Sequence, residues 1–139
     1  MSYSLAFTQA IAIIIHIGAQ IRFKGFDYIS TSNLAHDLNI PRPTTVNILT
    51  RLTHAGVIET KEGINGGVRL SIEPEKITLL QILDAVEAHK ALFRTGIKTN
   101  LNTEEADTAR SKVIQYLGKA ESALKNELSK VNIASMFAC

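Results

Sequence analysis

The sequence predicts a mainly helical chain carrying one small β-hairpin and ending in a long helix. Three observations point there. Apolar residues recur at steps of three and four along most of the chain, the helical period. A single Gly-rich stretch, Gly63 to Gly67, lies between two short runs of β-type residues. The last third carries one apolar stripe from Ala106 to Val131 that no proline interrupts. At 139 residues, 45% hydrophobic and 20% charged, the composition is that of a folded globular chain, large enough for one domain plus an extra helix.

Ser4 to Ile21 reads as a helix buried on most sides, with Ser2 or Ser4 as its cap. Its β-branched residues also suit a strand, but its length and the absence of turn residues before Gly18 favour helix. Arg22 to Tyr28, with Gly25 and Asp27, reads as a turn, and Tyr28 to Thr31 as a short extended piece. Ser32 offers a cap for a second helix through Leu34, Ala35 and Leu38, which Asn39 to Pro43 stops. A third helix is expected from Pro43 to Ala55, with Val46, Ile48, Leu49 and Leu52 buried and Gly56 as its stop. Residues 57–60 and 68–72 read as strands joined by the Gly-rich loop. Thr78 caps a fourth helix built on Leu79, Leu80, Ile82, Leu83 and Val86. A polar connector leads to the long helix, which opens at Thr103 with an acid-rich first turn. The domains are therefore 1–88, a connector at 89–103 and a helix at 104–135, without internal repeats.

Net charge is only +2, and it is unevenly spread. Residues 1–72 hold six Lys/Arg against four Asp/Glu, whereas 73–139 hold nine of each, so the whole excess lies in the first half. The one cysteine, Cys139, excludes an intrachain disulfide and an all-cysteine metal site, and fits a reducing cytoplasm. The apolar run from Ala10 to Ile17 is short for a membrane span and is broken by His16, so no membrane segment is expected. His36, His54 and His89 show no metal-ligand spacing, and His16 reads as a core residue. No nucleophile, base and orienting acid group together, so no enzyme activity is expected.

Helices joined by a Pro-containing turn, then two strands around a Gly loop, make a winged helix-turn-helix order, in which the third helix enters the DNA major groove. Its polar side is free of acid and offers Arg42, Thr44, Thr45, Asn47 and Arg51 as donors. Thr44 and Thr45 are placed to meet phosphate or base edges, Asn47 to pair with adenine, and Arg51 to meet backbone phosphate. In the loop, Lys61, Asn65 and Arg69 supply donors toward a narrow groove. The expected partner is double-stranded DNA. A protein-docking winged helix that binds no DNA is the alternative, and the acid-free third helix argues against it.

Ile29-Ser30, Leu34-Ala35, Leu38-Asn39-Ile40, Leu52 with Ala55 to Ile58, Gly66 to Leu70 and Ile77 to Glu87 stand in the order of a known pattern. Over about Ser4 to Glu87 the chain resembles the Rrf2 family of regulators. The resemblance implies a bacterial, operator-bound homodimer, and occupancy of a promoter by such a dimer would make it a repressor. Several members of that family hold an iron–sulfur cluster on cysteines between the helix after the wing and the long helix. The corresponding window here, His89 to Thr103, has no cysteine, so no cofactor is expected. Thr44 stands where many members carry an aromatic residue, so the operator sequence of those members is not carried over to this chain.

The C-terminal stripe would leave much apolar surface wet in an isolated subunit, so Val113, Leu117, Ala120, Leu124 and Leu128 are expected to pair with a second copy. Cys139 is a candidate redox residue, because a thiol near a chain end is open to oxidation. A small-molecule or protein effector is the remaining expected partner.

Overall fold

The computed structural model describes residues 5–87, 91–93, 95–96 and 99–137. The elements run α1 (Leu5–Lys24), α2 (Thr31–Leu38), α3 (Arg42–His54), β1 (Ile58–Lys61), β2 (Gly67–Leu70), α4 (Leu79–Val86) and α5 (Glu104–Ser129). Short 3-10 turns sit at Pro74–Lys76 and Ile133–Met136. The predicted fold class holds: mainly helix, one antiparallel hairpin, and a long C-terminal helix.

α1 is the core helix. Ile13, Ile14 and Ile17 are fully buried among Leu34, Leu52, Val68, Ile82 and Val86. Each such side chain contributes roughly 1.5–3 kcal/mol by leaving water. With 20 residues and a mean hydropathy of 1.4, α1 is long and apolar enough to cross a membrane. Here its apolar side covers the core instead. It continues past the expected Ile21 to Lys24, and Gly25 ends it at φ 71°. The expected caps Ser2 and Ser4 lie outside the described residues.

The cap of α2 is Ser30, not Ser32: its hydroxyl accepts from the Asn33 N–H at 3.1 Å. Asn39 then takes the left-handed conformation (φ 52°) that closes α2, and Ile40-Pro41 redirects the chain into α3. The expected extended piece is present. Ile29 exchanges two backbone hydrogen bonds with Val68, at 2.9 and 2.8 Å, which lays a third short strand beside the hairpin. That pairing demands glycine at 67, because a Cβ there would come within 2.1 Å of the Ile29 oxygen.

Thr78 caps α4 as expected and does so through a full capping box with Gln81. α5 closes at Ser129, short of the expected 135, because the chain turns back toward the domain. Leu79 N–H donates to the Val131 oxygen and Ile133 N–H to the Ile77 oxygen, at 3.0 and 2.8 Å. Ile133 is fully buried and Phe137 packs edge-on to Phe23 and over Gly18. The tail beyond α5 thus belongs to the core, and the periodic stripe of the sequence conceals that break.

Candidate nucleic-acid interface

α3 has two unlike sides. Thr45, Ile48, Leu49 and Leu52 are buried, while Arg42, Pro43, Val46, Asn47, Thr50, Arg51 and His54 are exposed. This corrects two expectations. Val46, assigned to the buried stripe, is 46% exposed, and Thr45, assigned to the DNA face, is 0% exposed. The helix phase explains both: Thr45 is one turn from Leu49 and shares its side. Its hydroxyl is satisfied by donating to the Pro41 oxygen at 3.1 Å, so threonine is tolerated in the core.

The exposed side carries no carboxylate. Pro41 heads α3 without a side-chain cap, so the positive end of the helix faces outward near Arg42 and half-buried Thr44. Between α3 and the hairpin lies a groove of about 270 Å³. Val46, Thr50 and His54 line it with Thr60 of β1 and Thr31 at the start of α2. α2, α3 and the hairpin therefore form one concave surface, where threonines alternate with Val46, Leu49 and Val68 and no carboxylate enters.

The cations assigned to this surface are less free than the sequence suggests. Arg51 donates from Nη1 to the Val86 oxygen at 2.6 Å and from Nε to Asn47 Oδ1 at 3.2 Å. The expected phosphate contact is thus set against two bonds inside the chain. Arg69 donates to Glu59 Oε1 at 2.5 Å and Asp27 Oδ1 at 2.9 Å, and lies 4.7 Å from the Tyr28 ring. The hydrogen bond that Arg69 donates to Glu59 is the main cause that raises its pKa, against the lowering effect of burial. Arg69 therefore braces the wing against the α1–α2 loop rather than reaching outward. Lys61 is exposed, with its ammonium 5.4 Å from the same Tyr28 ring. Asn65 lines a different cleft, between the wing tip, Lys24 and Asn33.

Three residues escaped the sequence reading: Thr50 and His54, which continue the exposed side of α3, and Ile64, fully exposed at the wing tip. Thr50 and His54 follow from Asn47 by helical steps once the phase is known. Ile64 carries no periodic signal. On α5, Leu117, Leu124 and Leu128 are half-buried in the single chain, while Val113 and Ala120 are exposed. Cys139 lies outside the described residues.

A family model for Rrf2 proteins, described as iron-dependent transcriptional regulators, matches residues 3–138. The chain belongs to the Rrf2 family. Among proteins similar to this Rrf2 chain is one from Synechocystis sp. named as an HTH-type transcriptional regulator, 38% identical over 58 residues. That match spans 42% of this chain and 40% of the relative's length. Solved structures with the same fold include T. potens IscR, with a TM-score of 0.72 at 16% identity over 99% of this chain and 86% of that one. CymR of B. subtilis, described as its global cysteine regulator, has a TM-score of 0.70 at 19% identity over 98% and 95%. A transcriptional regulator from Lactobacillus plantarum reaches 0.76 at 19% identity over 95% and 87%. Family and neighbours are regulators rather than enzymes.

The described residues do not fit the iron named in the family description. The sequence has one cysteine, and no cluster of three or more His, Cys, Asp or Glu suited to a metal ion occurs among the described residues.

Proposed function

We propose that this Rrf2 chain is a regulator that binds duplex DNA sequence-selectively as a homodimer, acting as a repressor by occupying a promoter. The single observation that carries the reading is the two-sidedness of α3. Its inner side is locked into the core by Ile48, Leu49 and Leu52, while its outer side is acid-free and opens onto the groove beside the hairpin. Such a helix fits a major groove, where Asn47, Thr50 and Val46 meet base edges and Arg42 meets phosphate. The wing, through Lys61 and the exposed loop around Asn65, meets neighbouring backbone. Pairing through Val113, Leu117, Ala120, Leu124 and Leu128 of α5 sets two recognition helices about one DNA turn, roughly 34 Å, or a small multiple apart on a pseudo-palindromic site. An effector acting near the 89–103 connector or at Cys139 would change that separation and release DNA. The protein works where bacterial DNA is, in the cytoplasm.

A gel shift on the DNA upstream of its own gene tests this. Retention that selects this DNA over random duplex and weakens with salt is the expected result. Binding that ignores sequence, or none, overturns it.

A further inference from the structure

We propose that Arg51 is a positioning residue for base readout, fixing the direction of the Asn47 amide; the proposal rests on the DNA-binding reading above. The two side chains lie one helical turn apart on the outer side of α3, and Arg51 Nε donates to Asn47 Oδ1 at 3.2 Å. A guanidinium has donors only, so the Asn47 atom that meets it is the carbonyl oxygen, and the NH₂ group is left facing the open side. A loose asparagine can turn its amide over and offer a donor or an acceptor as the base demands. One held by Arg51 presents donors. It therefore reads base edges rich in acceptors, guanine N7 and O6 or thymine O4, and no longer favours the bidentate adenine contact expected from an unrestrained amide.

Arg51 is itself held. Its Nη1 donates at 2.6 Å to the oxygen of Val86, the last residue of α4, whose carbonyl belongs to a helix end lacking intrahelical partners. Val86 is 1% exposed, so the anchor sits on the core. The chain thus runs from the core through the end of α4 and the guanidinium to the amide that faces DNA. A phosphate contact by Arg51 would have to compete with both bonds.

The test uses full-length wild type, Arg51→Ala, Asn47→Ala and the double variant. The probes are duplexes that wild type selects from a randomised pool, and the same duplexes changed one base pair at a time, across a range of salt. Asn47→Ala is expected to lose about tenfold discrimination at one base pair per half-site. Arg51→Ala should lose discrimination at that same base pair, leave the salt slope unchanged, and add nothing in the Asn47→Ala background. Asn47→Asp, a surface change that keeps the acceptor and removes the donors, should lose the same preference while the fold stays intact. Equal weakening on every duplex with a salt slope shallower by about one unit would show a phosphate contact and overturn the proposal. Additive losses at different base pairs would also overturn it and leave DNA binding standing. A wild type that selects no sequence overturns both readings.

Discussion

α1 and α5 are both long helices with apolar stripes, yet they meet opposite fates. α1 spends its stripe inside the chain: of 20 residues, Ala10, Ile13, Ile14, Ile17 and Gly18 are buried. α5 has 26 residues and none buried, with Val113 55%, Ile114 42% and Tyr116 65% exposed. It packs on α4, accepts the Leu92 N–H of the connector at Glu121, and is followed by the tail beyond Ser129 that enters the core. The difference teaches that one helical period can serve two purposes. An isolated helix of this kind gains little from propensity alone, and the stripe left wet in one chain is the surface that the proposed pairing would cover.

The sharpest way to break the comparison is in α1. Ile14→Ala should cost about 2–5 kcal/mol in chemical denaturation, because it empties a site with no solvent access. A loss under about 1 kcal/mol would mean that α1 is not the core helix. Next comes Val113→Glu on α5. In a lone chain this exposed position should tolerate charge, whereas in a dimer seam it should cost about 2 kcal/mol or more of association. Sedimentation that shows monomers, with the melting of the domain no longer dependent on concentration, is the expected outcome. Unchanged association would remove α5 as the seam.

The caps give a finer contrast. Thr78→Ala should cost about 1 kcal/mol of global stability, since α4 packs on the core through Ile82, Leu83 and Val86. Thr103→Ala removes a cap of the same geometry from α5 and should fray its first turn with a smaller global effect. Hydrogen exchange reads both, and equal global losses would show α5 folding as one unit with the domain. The smallest effect is expected at Arg69→Ala: its ion pairs are exposed, so the thermal midpoint should barely move, while the wing loses protection.

Much of this molecule is legible in its sequence. The Thr78 cap, the Gly56 stop, the break at Asn39 to Pro43 and the Gly-rich hairpin loop are local instructions that depend on neighbours in the chain. The Rrf2 resemblance rests on the same stretches. What the sequence misplaces are residues whose role depends on helix phase or distant partners. Val46 and Thr45 exchange sides because hydrophobicity marks a stripe only to within one position, and the Pro41 oxygen makes a buried hydroxyl acceptable at 45. Arg51 and Arg69 look like free cations until Val86, Asn47, Glu59 and Asp27 are seen around them.

By itself the sequence determined the order of elements, the acid-free third helix and the want of cysteine ligands, because capping, periodicity and composition act over one or two turns of chain. Only the tertiary structure decided which cations are spoken for and where α5 hands over to the core. Those outcomes depend on groups up to several tens of residues apart, such as Arg51 with Val86 or Ile77 with Ile133, brought within hydrogen-bond reach by packing that no local pattern encodes.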